Sequence, residues 1–180
     1  MSPLTAQLGD EQRATLARAR LLVLDVDGTL TDGKVVYTAE HEEQRFCIRD
    51  GQGLAWLRAE GLVSAWITGR GCEATRRRAA DCGVEHLFTR CGPKGPVLER
   101  LQAELGITPA ETVAMGDDLP DLALAERAAF FAVPADAREA LRERADLVCA
   151  ARGGDGAVRE LAEHILRARG RWAAILEASR

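Results

Sequence analysis

Short, unbroken apolar runs alternate along this chain with longer stretches of mixed character. Leu21–Leu24 reads Leu-Leu-Val-Leu and has no polar position. A run that is apolar at every position suits a strand buried on both faces. Val63–Thr68, Thr112–Met115 and Phe130–Val133 read as further strands, with weaker candidates at His86–Phe88 and Asp146–Val148. The intervening stretches are predicted helical: about Gly53–Glu60, Glu73–Cys82, Lys94–Leu105, Pro120–Glu126, Asp136–Arg144 and Gly156–Arg169. An amphipathic helix over residues 1–20 leads in. Strand followed by helix, repeated, predicts an α/β chain with a doubly wound parallel sheet covered on both faces. One segment breaks the rhythm. Lys34–Tyr37 and Gln44–Ile48 are β-like and flank the polar Thr38–Glu43, which predicts an antiparallel hairpin inserted after the first strand.

A length of 180 residues fits one domain over 1–180, with the hairpin insertion at about 34–48. Hydrophobic residues make up 47% and charged residues 29%, which excludes a disordered chain. The net charge of −4 gives no electrostatic reason to expect nucleic acid. No apolar stretch approaches the roughly 20 residues that span a bilayer, and the acidic start does not resemble a secretory signal. The five cysteines form no C-x-x-C pair and the three histidines are scattered, so neither a disulfide framework nor a zinc site is expected. Reduced thiols and a cytoplasmic setting follow as the expectation.

In an open parallel sheet, ligands bind beyond the carboxyl ends of the strands. The residues just past the strand ends here are Asp25, Val26 and Asp27, then Thr68, Gly69 and Arg70, then Gly116, Asp117 and Asp118. Lys94 opens a helix near the same edge. Taken singly, each group has a structural alternative. Asp-x-Asp-Gly can be a turn, Thr-Gly a strand-to-helix turn, Lys94 a solvated lysine and Gly-Asp-Asp a helix cap. Taken together, each after a strand, they make a site.

The chemistry that such a set can perform is phosphoryl transfer. It requires a nucleophile at phosphorus, a proton for the leaving oxygen and neutralisation of the phosphoryl charge. Asp25, exposed where a strand ends, suits the nucleophile. Asp27, two residues on, suits the proton carrier, and Gly28 lets the backbone turn toward a phosphate. Asp25 and Asp117, with the backbone carbonyl of Asp27, form an all-oxygen set suited to Mg²⁺. Thr68 and the amide of Gly69 can hold phosphoryl oxygens, and Lys94 supplies fixed positive charge. Asp118 and Asp121 are expected to orient Lys94 or the metal's waters from behind.

These residues resemble the motifs of the haloacid dehalogenase superfamily: Asp25-Val-Asp-Gly-Thr-Leu-Thr-Asp32-Gly33, Ile67-Thr-Gly-Arg70, Lys94 and Gly116-Asp-Asp-Leu-Pro-Asp121, in that order. The resemblance implies a Rossmann-like fold and a phosphatase, since Asp27 is a residue that the dehalogenases of that superfamily do without. The hairpin, Arg49-Asp50-Gly51-Gln52-Gly53 and Gly153-Gly-Asp-Gly-Ala-Val-Arg-Glu160 extend it to the cap-less branch that acts on octulosonate 8-phosphates and nonulosonate 9-phosphates. Only about forty residues separate Asp27 from Thr68, so no cap domain fits between them. The resemblance implies a homotetramer assembled through its hairpins and a phosphorylated sugar acid as substrate. It also implies substrate contacts at Cys47, Ile48, Arg49, Asp50, Gly51, Gly69, Arg70 and Arg78. A guanidinium suits the carboxylate of such a substrate, although Arg78 lies in Arg76-Arg77-Arg78, a run that also reads as a solvated helix face. Two features depart from that branch: Ala55 stands where an arginine that contacts substrate is expected, and the tail Gly170–Arg180 lacks a glycine-rich ending.

Two other readings differ in class. A phospho-accepting receiver module also combines carboxylates, a metal and a lysine, but places its aspartate after a later strand and has no acid two residues on. A regulatory subunit that kept the fold has no need of the full motif set.

Overall fold

A computed structural model describes residues 8–180, so the first seven residues of the expected leading helix lie outside the described residues. Within them, helix α1 covers Asp10–Arg18. Six parallel strands form the main sheet: β1 (Leu21–Leu24), β4 (Val63–Ile67), β5 (His86–Phe88), β6 (Thr112–Met115), β7 (Phe130–Val133) and β8 (Leu147–Val148). The separate hairpin pairs β2 (Val36–Tyr37) with β3 (Glu42–Glu43). The helices are α2 (Ile48–Ala59), α3 (Glu73–Asp81), α4 (Lys94–Leu105), α5 (Leu122–Ala125), α6 (Glu139–Arg142), α7 (Ala157–Ala168) and α8 (Trp172–Ala178). The strand order is β5-β4-β1-β6-β7-β8, with β1 central and in parallel register with both β4 and β6. The chain thus winds outward in both directions from β1, and the carboxyl ends of β1, β4 and β6 lie side by side.

Alternate residues of the central strands feed opposite layers. Leu22, Leu24, Trp66, Val113 and Met115 face one core with α1, α2 and α7. Leu21, Val23, Ala65, Ile67 and Ala114 face the other with Leu98 and Leu101 of α4, Leu124 of α5 and Leu141 of α6. Each fully buried leucine contributes about 2 kcal/mol of transfer free energy. Helix α7 packs as its spacing demands: Val158, Leu161, Ala162, Ile165 and Leu166 form one buried stripe. Helix α4 stops at Gly106, whose φ of 62° is the left-handed cap conformation that glycine adopts without strain. No helix among the described residues is long and apolar enough to cross a membrane.

The hairpin corrects the sequence expectation. Its return strand is Glu42–Glu43, not Gln44–Ile48. The Thr38 hydroxyl accepts from the amides of Glu40 (3.3 Å) and His41 (3.0 Å), and the Thr38 amide donates to the His41 carbonyl (2.9 Å). This local turn reverses the chain at once and pairs Tyr37 with Glu42. Beyond it, Phe46 packs against Trp66 with ring centroids 6.5 Å apart, and α2 then begins at Ile48, five residues before the expected start. The early start leaves Gly51 and Gly53 inside a helix. Helix α8 is a further addition: Trp172 meets Trp56 edge-on at 5.7 Å, and the Arg159 guanidinium lies 4.1 Å over the Trp56 ring.

Candidate active site

The loop after β1 is folded by its own short side chains. The Val26 carbonyl accepts from the amides of Leu30 and Thr31, both at 3.0 Å, and from the Thr31 hydroxyl at 3.3 Å. The Thr31 hydroxyl also accepts from the amides of Gly28 (3.2 Å) and Gly33 (3.3 Å). Gly28 adopts φ 98°, and a Cβ there would collide with the Asp117 carboxylate. The Gly153-Gly154 turn packs from behind: Gly154 donates to the Thr29 carbonyl at 3.0 Å, and a Cβ on Gly153 would strike the Gly28 carbonyl oxygen. These glycines admit close backbone approach where any side chain would displace the acids.

Asp25 continues the β1 ladder, with its amide bonded to Met115 at 3.0 Å, and is only 5% exposed. Lys94, equally buried, donates to Asp25 and to Asp121, the latter at 2.6 Å. Asp121 uses its second oxygen to accept from the amides of Asp117 (3.0 Å) and Asp118 (3.3 Å), so it holds both Lys94 and the loop after β6. Asp118 caps the next turn through the Leu119 amide at 2.8 Å. Asp117 accepts from Thr29 at 3.3 Å. Carboxylate oxygens of Asp25, Asp117 and Asp121 lie within 4.8 Å of one another.

Burial pushes the Asp25 carboxyl well above its ordinary range, and the Asp121 and Asp117 charges add to it, while Lys94 opposes. Burial, then Asp121, raises Asp117 to about 7. Burial acts against the Lys94 ammonium, but the Asp25 and Asp121 carboxylates outweigh it and raise its pKa. One ammonium thus stands among three crowded carboxyl groups, Asp25, Asp117 and Asp121. Crowded hard oxygens, with a glycine cradle beside them, fit a small divalent cation such as Mg²⁺. Asp25 and Asp117 are the carboxylates free to hold it, because Asp121 has both oxygens engaged.

Asp27 stands at the mouth of this cluster. Its Oδ2 accepts from the Thr68 hydroxyl at 2.9 Å, and its Oδ1 accepts from Gln44 Nε2 at 2.7 Å. The Arg70 guanidinium comes to 3.9 Å of Oδ1 and pairs with Glu42 at 2.9 Å and Tyr37 at 3.3 Å. A cavity of about 300 Å³ opens here, lined by Asp25, Asp27, Gly69, Arg70, Lys94 and Asp117, with Cys91 and Pro120 on its walls.

Of the expected substrate contacts, the fold brings Gly69 and Arg70 to this cavity. The others are not among its lining residues. Asp50 is buried and turned toward α7, where it accepts from the Arg159 amide at 2.8 Å and so caps that helix from a neighbouring one. Arg78 donates to the Cys47 carbonyl at 2.8 Å, wedged against Gly51. Arg49 pairs with Asp155 at 2.9 Å, and Ile48 is 77% exposed. Sequence spacing cannot distinguish a helix-capping carboxylate from a ligand-facing one when the capped helix lies over a hundred residues away. Gln44 was not foreseen as a site residue: no motif contains it, and only the hairpin's return path brings it to Asp27.

No family model matches the chain. The 3-deoxy-D-manno-octulosonate 8-phosphate phosphatase of Escherichia coli (strain K12) is 37% identical over 130 residues, which cover 72% of this chain and 69% of that protein. Among solved structures, the enzyme of the same name from Moraxella catarrhalis, in complex with magnesium, phosphate and a KDO molecule, superposes with a TM-score of 0.92 at 34% identity. That match covers 95% of this chain and 99% of the other. A haloacid dehalogenase superfamily (subfamily III A) hydrolase from Legionella pneumophila matches with a TM-score of 0.89 at 30% identity, over 94% of each chain.

Proposed function

The chain belongs to the 3-deoxy-D-manno-octulosonate 8-phosphate phosphatases of the haloacid dehalogenase superfamily, and from that premise we propose that it hydrolyses the terminal phosphate of an eight-carbon keto-deoxy sugar acid through an aspartyl phosphate on Asp25. The observation that carries the reading is the convergence of Asp25, Asp117 and Lys94 on one cavity with Asp27 at its mouth.

In the first step an Asp25 oxygen attacks phosphorus, the ester P–O bond breaks, and Asp27 delivers a proton to the departing sugar oxygen. In the second, Asp27 takes a proton from water as that water attacks phosphorus. The bond to Asp25 breaks and inorganic phosphate leaves. Lys94 offsets charge on Asp25 and on the phosphoryl oxygens. The Thr68 hydroxyl, turned toward Asp27 here, and the Gly69 amide serve those oxygens when phosphate is bound. Asp25, Asp117 and the Asp27 carbonyl would hold Mg²⁺, which when bound would supply Lewis-acid neutralisation of the anionic substrate. Asp118 and Asp121 hold this frame in place. Arg70 is the cationic side chain of the cavity wall suited to a substrate carboxylate. Arg78 holds the Cys47 carbonyl and so fixes where the segment leaving the hairpin joins α2.

A second reading, a nonulosonate 9-phosphate or broader sugar-phosphate phosphatase, is favoured by Ala55 and by Arg70 being the lone arginine lining the cavity. The working form is proposed to be a homotetramer in the cytoplasm, in keeping with exposed apolar side chains on and just beyond the hairpin and with five free cysteines. A phosphate-release screen of sugar-acid phosphates with Mg²⁺ tests the function. Fastest turnover of the octulosonate ester is expected. No release from any phosphomonoester by folded, metal-replete protein would reject the reading.

A further inference from the structure

Asp27 is held from two sides, and only one of them belongs to the loops that carry the site's motifs. On one side stands the Thr68 hydroxyl at 2.9 Å, itself fixed by accepting from the Arg70 amide at 3.0 Å. On the other stands Gln44 Nε2, 2.7 Å from Asp27 Oδ1. Gln44 comes from the segment that leaves the hairpin. Its amide oxygen is gripped in turn by the first turn of α3: the Thr75 hydroxyl donates at 2.6 Å and the Cys72 thiol at 3.0 Å. Thr75 is buried. With two donors on its oxygen, the amide cannot turn over without setting an acceptor against the Asp27 carboxylate. Its N–H therefore faces Asp27 in a fixed direction.

We propose that Gln44 is a positioning residue for the proton-transferring acid, a hydrogen-bonded strut from Thr75 on α3 to Asp27. The inference rests on the phosphatase reading above, in which Asp27 serves the leaving oxygen. A carboxyl that must meet a sugar oxygen during bond cleavage loses rate when its orientation is freed. Gln44 itself touches no reacting atom. Its effect falls on reactions that need the proton and spares those that do not.

This selectivity defines the test, carried out on the full chain with Mg²⁺. kcat/KM is measured for the sugar phosphate turned over fastest in the screen, whose alkoxide must be protonated to leave. It is measured also for p-nitrophenyl phosphate, whose phenolate leaves without a proton. Gln44→Met is expected to lower kcat/KM about tenfold on the sugar ester and less than about threefold on the aryl ester. Thr75→Val, which removes the far anchor and leaves Gln44 in place, is expected to give the same ordering with a smaller loss. It carries the test alone if Gln44→Met does not fold. Equal losses on the two esters, or no loss on either, with an active wild type would overturn this inference and leave the phosphatase reading standing. A wild type silent on both esters would sink the reading on which it rests.

Discussion

Asp25 and Lys94 are a pair whose two members respond differently to neutralisation. Asp25 is buried beside Asp121 and Asp117, and its carboxyl is pushed toward the protonated form. Asp25→Asn removes a charge that the fold holds at a cost. Turnover is expected to fall below about a thousandth of wild type, because an amide does not attack phosphorus, while the thermal midpoint without metal stays level or rises. Phosphate release and a melting curve on the same sample check both halves, and near-normal activity would remove Asp25 as nucleophile. Lys94→Met has the opposite thermodynamic sign. It strands Asp25 and Asp121 without their shared partner, and a loss of about 3–5 kcal/mol is expected by denaturant titration. At this scale the sequence was readable where chemistry sits at strand ends. Asp25 and Thr68 follow a strand by one residue and Asp117 by two, so finding the strands found them. Gln44 and Asp50 follow no such rule. Their roles come from elements that meet only in the folded chain.

Helix α7 shows why one of those roles was hidden. It begins at a glycine, Gly156, with no side chain to cap it. The missing acceptor comes from Asp50 on α2, whose other oxygen is buried and has no hydrogen-bond partner among the described residues. Burial raises the Asp50 carboxyl from 3.8 to about 6, against the pull of the Arg159 and Gly156 amides and of Arg49 and Arg78. The folded chain thus holds a proton that the unfolded chain has lost between those two values. Stability from this group is present at acid pH and declines as pH rises through about 4 to 6, by roughly 2 kcal/mol. Asp50→Asn keeps an acceptor for α7 and does not titrate. The stability difference, variant minus wild type, is expected to grow from pH 4 to pH 6 and then stay flat, read from urea denaturation at each pH. A difference independent of pH would show that Asp50 is not the titrating group. The six strands of the main sheet, α4 and α7 were legible from apolar runs and helical spacing, whereas the hairpin's return strand was not. The start of α2 and the existence of α8 were not. Both depend on aromatic contacts, Phe46 on Trp66 and Trp172 on Trp56, that no local pattern announces.

At the scale of the molecule, the cation and the proposed assembly are the two matters that bear on the site from outside the chain. A ligand that binds only the folded form stabilises it by mass action, so Mg²⁺ is expected to raise the thermal midpoint, and Asp117→Asn to remove most of that rise. The assembly argument starts from the hairpin. Strands of two residues, paired only with each other, make a marginal structure in water. Val36, Tyr37 and Ile48 are nevertheless 48%, 72% and 77% exposed on this segment. The same segment sends Glu42 to Arg70 and Gln44 to Asp27. A partner chain that covers Val36 and Ile48 would hold the segment against Asp27, the proposed catalytic acid, and would make assembly and activity one problem. Light scattering is expected to give about four times the 19.5 kDa chain mass. Val36→Asp combined with Ile48→Asp puts charge on that surface without touching the bonds to Asp27, and is expected to lower the mass and to reduce kcat several-fold. Wild-type protein should also lose specific activity on dilution below its dissociation range, and the double variant should not lose more. A wild-type chain that scatters as a monomer at full activity would separate the hairpin's polar contacts from any partner, and the order of that segment would then rest on Glu42, Gln44 and Phe46 alone.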